Sequence, residues 1–260
     1  MRICVCIKQV PNSWSDKELL PESHLLNRVD ADRIINEADE YAIEEALRQV
    51  EHHGGDVTIV TMGPDYAIDS LRKALSLGAH HAVLITDSAL EGSDALATSL
   101  VLASYIATQD FDLVIFGATS SDAGMGVIPS MVATRLDWPA LTLAMNLSIE
   151  NDSVNVRRMV GSGFDDLMCA LPAVVSVVDK INTPRYPNFK GILAAKKAEI
   201  TVLWLSDLNV SPDKVGSRAS AGQIIAVTPR PEKPLGRVIH DDGNAGEEIY
   251  RYLLTTKALP

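Results

Sequence analysis

The sequence predicts an α/β protein built on a mostly parallel sheet, and three observations predict it. Apolar runs of strand length alternate with helical patterns from the N-terminus to about Leu136. Helices of that length between successive strands require right-handed crossovers, which leave the strands parallel. The strands are apolar along most of their length, as expected where both faces of a sheet are covered. With 260 residues the chain is long enough to bury a large core.

Arg2 to Val10 reads as the first strand, ended by Pro11, Asn12 and Ser13. Lys8 near its carboxyl end either faces an anionic ligand or is an ordinary snorkelling lysine. Trp14 to Asp32 is polar and irregular. Ile35 to His53 is helical, with Ala42, Ile43, Ala46, Leu47 and Val50 on one stripe, acidic residues forming mostly a solvated face, and Gly54-Gly55 as the stop. Asn36 is read first as the cap of this helix and second as a ligand contact. Asp56 to Met62 is the second strand, and Gly63-Pro64 leads into a helix ending near Leu77. Ala82 to Thr86 is a strand, Ser93 to Gln109 a helix, and Leu113 to Phe116 a buried strand before a glycine-rich turn and a helix from near Val127 to Leu136. Beyond Pro139, the runs Leu141 to Ile149, Val154 to Val160, Leu167 to Leu171 and Val174 to Val178 are separated by turn residues. They predict an antiparallel addition at the edge of the sheet.

Formal net charge is -11 with 22% charged residues, which argues against nucleic acid and anionic membrane surfaces as partners. No apolar run approaches bilayer-spanning length and no signal-peptide pattern opens the chain, so a cytoplasmic location is expected, without membrane insertion. The three cysteines are too few for a disulfide framework. Cys4 and Cys6 fall on one face of the first strand and are expected to pack rather than bind metal. The adjacent pairs His52-His53 and His80-His81 lack metal-ligand spacing. No Ser/His/Asp set, paired catalytic carboxylates or CxxC is present, as expected of a protein that is not an enzyme.

Leu113 to Pro129, L-V-I-F-G-A-T-S-S-D-A-G-M-G-V-I-P, has the shape of a phosphate cradle. Glycines let backbone approach an anion, and N–H groups at a helix start can hold it. The spacing fits neither G-x-G-x-x-G nor a lysine-bearing P-loop, and an ordinary strand-to-helix connection is the alternative. Lys180 to Lys197 carries five positive residues and no acid in an otherwise acidic chain. Pro184 and Pro187 keep its first half extended, with Phe189 in the middle. An aromatic flanked by lysines has the character of a docking hot spot; the alternative is a surface loop whose Phe tucks into the core. From Glu199 onward one apolar segment, Ile200 to Leu205, precedes a stretch rich in Pro, Gly and Ser and a short helical pattern from Gly246 to Leu254. Such an arm implies a partner subunit to lie on.

These residues converge on a family. The chain resembles the beta subunit of electron transfer flavoproteins over essentially its whole length. The resemblance rests on I-K-Q-V-P, N-E-x-x-E-Y-A-I-E-E-A, T-M-G-P and R-K-A-L-S-L-G-A, and most specifically on L-P-A-V-V-S-V followed by K-I-N-T-P-R-Y-P-N-F-K-G-I-L-A-A-K-K. The loop version S-S-D-A-G-M-G-V-I-P is most similar to actinobacterial members. The resemblance implies a Rossmann-like, adenine nucleotide hydrolase-like fold. It divides the chain into a nucleotide-binding domain (1–182), a partner-recognition loop (183–198) and a C-terminal arm (199–260) packing on an alpha subunit. It implies a heterodimer whose alpha subunit holds the redox FAD while this chain buries a structural AMP. Electrons then pass from acyl-CoA and related dehydrogenases to a membrane quinone oxidoreductase.

Carried onto matching positions, the implied cofactor-binding residues are Cys6, Lys8, Asn36, Met62, Gly63 and Gly117, with Cys6, Asn36, Met62 and Gly117 bordering the adenosine. Asp122, Gly124, Met125, Gly126, Val127 and Ile128 form the loop around ribose and phosphate. The implied docking residues are Arg185, Tyr186, Phe189, Lys190, Ile192, Leu193, Lys196 and Lys197, with Phe189 where many members have Leu. Trp14 is a candidate neighbour of the isoalloxazine. Gly126-Val127-Ile128 replaces the family's Asn-Gln-Thr or Ala-Gln-Val, leaving only backbone donors for phosphate. Met159 occupies a position where the family tends to have Glu, so an interdomain ion pair built there is not carried over. Two other readings remain: an electron-bifurcating subunit with a second FAD, disfavoured by the missing D-G-D-T-x-Q-V-G loop, and a lone nucleotide-binding sensor or hydrolase.

Overall fold

In β1 (Arg2–Cys6), Ile3 and Val5 enter one apolar cluster while Cys4 and Cys6 enter another. A strand with a layer on each face requires that alternation. The computed structural model describes residues 1–15, 17–222, 224–228, 230–233, 236, 238 and 240–258. After β1 come β2 (Gln9–Pro11), β3 (Arg33–Ile35), α1 (Glu37–His53), β4 (Asp56–Met62), α2 (Ile68–Leu77), β5 (His81–Ile85), α3 (Ala95–Ile106), β6 (Leu113–Gly117) and α4 (Ile128–Leu136). Then follow β7 (Ala140–Glu150), β8 (Ser153–Val160), β9 (Gly163–Ala170), β10 (Ala173–Val177), α5 (Phe189–Lys197), β11 (Thr201–Leu203), α6 (Gly216–Ala219) and α7 (Ala245–Thr255).

Among the described residues nine strands form one sheet in the order β11-β5-β4-β1-β6-β10-β7-β8-β9, and β2 pairs with β3 apart from it. All pairings from β11 to β7 are parallel, and β7-β8-β9 are antiparallel. This is the Rossmann-like α/β architecture with an antiparallel edge that the sequence predicts. One face packs against α1, α2 and Ala195 of α5, the other against α3 and α4. Burying a side chain such as Ile115 or Leu84, both fully enclosed, stabilises the fold by roughly 1.5–3 kcal/mol.

Three expectations are corrected. The first strand stops at Cys6 because the Lys8 N–H donates to the Asp39 carboxylate at 2.7 Å rather than to a neighbouring strand. Pro11, expected to end it, lies in the separate β2–β3 ribbon. The run Val174 to Val178 belongs not to the antiparallel edge but to the parallel interior, as β10 between β6 and β7. Its buried residues make the uninterrupted apolar run of a doubly covered strand. The acidic residues of α1 are not mostly solvated, since Asp39, Glu44 and Glu45 are buried.

The first structural unit runs from Met1 to Ile224. Residues 199–224, read from sequence as the start of the arm, include β11, paired with β5 at the sheet edge, and the buried Leu205, Leu208, Val210 and Val215. The second unit, Ile225–Pro260, contains α7, whose described residues include none that is buried. Positions 223, 229, 234, 235, 237, 239, 259 and 260 of the expected arm lie outside the described residues.

Candidate functional site

Strand order reverses direction between β1 and β6: β4, β5 and β11 lie on one side, β10 and β7 on the other. In open parallel sheets ligands gather at the carboxyl ends beside such a switch point. The topology brings Cys6 of β1, Met62 at the end of β4, Gly63 just after it, and Gly117 of β6 to that end of the sheet. Cys6 is buried among the α3 and α4 contacts, and its thiol is pushed well up by hydrogen bonding to Cys4 and by burial. Among the described residues no group of three or more His, Cys, Asp or Glu is arranged to hold a metal.

Helix α1 starts against the same end, and its first turn is tied to the loop after β6. Asn36 stands at the cap position, but its side chain makes no capping bond. Its amide donates to the Thr119 carbonyl at 2.9 Å and to Asp39 Oδ1 at 3.0 Å, and its Oδ1 accepts from the Ser121 N–H at 3.0 Å. Asn36 is thus a buried staple between helix and loop. Burial pushes the Asp39 carboxyl up to about 7 against the opposing hydrogen bonds of Asn36 and the backbone of Lys8 and Gly117. Gly117 permits this approach: a Cβ there would lie 2.7 Å from the Ala38 carbonyl carbon.

The glycine loop spans residues 118–127 between β6 and α4. Gly124 and Gly126 have φ of 65° and 64°, the left-handed region that glycine enters without strain. Met125 is exposed, and α4 begins at Ile128 with no side-chain cap and a proline in its first turn. Asp122 turns inward. Lys8 Nζ lies 2.8 Å from Asp122 Oδ1, Arg28 pairs with Oδ2, and the Asp122 side chain has 0% exposure. Burial alone would raise its carboxyl, but Lys8, Arg28 and Ser120 overcome that and hold it at about 2. Two cations share one carboxylate beside an open loop, an arrangement suited to an anion while the Asp39 carboxyl, which also feels Lys8, is protonated. Lys17 Nζ adds a 3.4 Å contact to the Ser121 carbonyl, so the irregular segment before β3 also holds the loop. In that segment Trp14 is 92% exposed.

Arg28, Lys17 and Asp39 escape the sequence reading. The first two lie in a segment without periodicity, and Asp39 sits among acids of which Glu37 is exposed, so no local pattern separates them.

The second cluster surrounds α5. Phe189 opens the helix and is 76% exposed, with Tyr186, Ile192 and Leu193 also exposed. The alternative in which this Phe tucks into the core is overturned. Lys190, Lys196 and Lys197 stand exposed on the same helix. The Arg185 guanidinium is bound to Glu44 and Glu51 of α1.

A doubly wound α/β sheet with a cationic, glycine-hinged loop at its switch point places the chain among Rossmann-like proteins. A family model described as the electron transfer flavoprotein domain matches residues 24–208. The chain is 41% identical over 263 residues to the electron transfer flavoprotein subunit beta of Mycobacterium leprae, covering 99% of each chain. It is 35% identical over 235 residues to the protein of that name from Thermoanaerobacterium thermosaccharolyticum, covering 90% of each. It is 34% identical over 241 residues to the caffeyl-CoA reductase-Etf complex subunit CarD of Acetobacterium woodii, covering 92% of each. The chain belongs to the electron transfer flavoprotein beta-subunit family, whose members are electron carriers rather than enzymes.

Proposed function

We propose that this chain pairs with an alpha subunit, holds a structural AMP at the switch point, and docks acyl-CoA and related dehydrogenases. Their electrons reach the alpha-subunit FAD and pass on to a membrane quinone oxidoreductase. The observation that carries the AMP assignment is the pair of cations, Lys8 and Arg28, sharing Asp122 beside a loop whose glycines adopt left-handed backbone. The backbone N–H groups from Gly124 to Ile128, with Lys8, would meet the phosphate. Cys6, Asn36, Met62 and Gly117 would border the adenosine, with Gly63 beside them. FAD, when bound by the alpha subunit, supplies the redox chemistry; this chain's own residues position, enclose and dock. Asn36 acts through the loop, because its amide and carbonyl are already bound to Thr119, Asp39 and Ser121.

The docking assignment is supported by an exposed Phe189 with three exposed lysines on one helix. Such a surface combines an apolar anchor with charge that steers an acidic partner. The test is to purify the chain alone and with its alpha partner, denature both, and identify the released nucleotides by chromatography and mass. One AMP per chain, with one FAD appearing only in the pair, is expected. Two FAD per pair would replace AMP by a second flavin, and ATP on the lone chain without a stable pair would favour the nucleotide sensor.

A further inference from the structure

Of the nine residues of α5 only Ala195 is buried, and the helix lies against α2 with its other side chains partly or fully in solvent. Two arginines outside the helix tie down its ends. Ahead of it, Arg185 Nε donates to Glu44 Oε2 at 2.7 Å and Nη1 to Glu51 Oε1 at 2.6 Å, while the Arg185 N–H reaches Glu44 Oε2 at 3.2 Å. Behind it, Arg72 of α2 donates to the carbonyl of Ala195 at 2.6 Å and to that of Ala198. Those are carbonyls at a helix C-terminus, where intrahelical donors run out. Asn188 caps the start by accepting from the Gly191 N–H at 2.8 Å, and a Cβ on Gly191 would lie 2.5 Å from the Ser76 carbonyl oxygen.

We propose that Arg185 and Arg72 are positioning residues that hold α5, with Phe189, Ile192 and Leu193 outward, in its docking orientation before a partner arrives. The proposal rests on the docking reading above and assigns Arg185 a different part in it. Its charge is answered by Glu44 and Glu51, so it fixes the platform while Lys190, Lys196 and Lys197 face solvent to steer. A docking element already ordered in the free protein spares association the entropy of ordering it.

The test uses the complete heterodimer as electron acceptor from a purified acyl-CoA dehydrogenase reduced by its acyl-CoA substrate. KM for the heterodimer, kcat, the rate of flavin reduction by dithionite and amide hydrogen exchange in α5 are read together. Arg185→Gln and Arg72→Gln are each expected to raise KM about tenfold with kcat within about twofold, the loss of preorganisation appearing in association. Dithionite reduction stays unchanged, and α5 amides exchange faster while those of β1 and β6 do not. Arg185→Gln leaves Glu44 buried without its partner, so Glu51→Gln, at the exposed end of the clamp, serves where that variant fails to fold. It is expected to raise KM about threefold. Unchanged KM in Arg72→Gln and Glu51→Gln, or unchanged exchange in α5, overturns the positioning role. An unchanged KM in Phe189→Ala overturns the docking reading itself, and a raised one beside unaffected arginine variants overturns only the clamp.

Discussion

Replacing Asp122 by Asn keeps the shape of the side chain and removes the charge that Lys8 and Arg28 share. The Asp122 carboxyl titrates at about 2 against an ordinary 3.8. At about 1.36 kcal/mol per pH unit, its surroundings favour the folded, ionised form by roughly 2 kcal/mol. Removing one partner from a fully buried pair costs about 3–5 kcal/mol. Here the Lys8 and Arg28 side chains keep 39% and 37% exposure, so water answers the stranded cations and the lower figure applies. A group whose pKa is depressed by folding contributes stability above its unfolded value and loses it as pH falls through its folded value. Urea unfolding followed by circular dichroism should therefore show the variant less stable by roughly 2 kcal/mol between about pH 5 and 8, with the gap closing below about pH 4. Equal midpoints at neutral pH, or a gap that persists undiminished at about pH 3, would refute the reasoning.

Asp39 runs the other way: its folded pKa of about 7 lies above the ordinary 3.8, so the stability it contributes is present below about pH 4 and lost as pH rises through 7. Asp39→Asn should flatten the decline in stability from pH 5 to 8, measured by the same unfolding assay; an unaltered slope would exclude Asp39 as its source. Gly117→Ala drives a Cβ toward the Ala38 carbonyl carbon and Asp39, and should cost roughly 3 kcal/mol by overpacking in urea unfolding. Gly126→Asp strains a backbone at φ 64° and sets a negative charge on the loop; the purified variant should release no AMP on denaturation. Phe189→Ala should weaken docking by roughly 2 kcal/mol while leaving the melting temperature unchanged, read from electron transfer at limiting heterodimer concentration.

The sheet and its helices were legible because their apolar periodicity is local: the stripe from Ala42 to Val50 and the Leu113 run need no distant information to be read. The orientation of β10 was not legible, since a five-residue run that is buried on both faces has no alternation to mark its neighbours. The glycine loop could be located by composition, but its electrostatics could not. Arg28 reaches Asp122 across 94 residues, and Arg185 reaches Glu44 across 141. Pairings over such separations leave no trace in spacing, so Glu44 looked like any solvated helix acid. Phe189 was legible as an anchor candidate from its basic setting; that it opens a helix clamped from both ends was not.

Helix α1 serves two masters, gripping the glycine loop through Asn36 at its cap and the Arg185 segment through Glu44 and Glu51 further along. Each residue of an α-helix turns about 100° and rises about 1.5 Å. Inserting or deleting a single residue between Asp39 and Glu44 would swing the second grip away from its arginine while leaving the first in place. The length of this helix is therefore a shared dimension of both surfaces, open to substitution at solvent-facing Arg48, His52 and His53 but closed to any change of count.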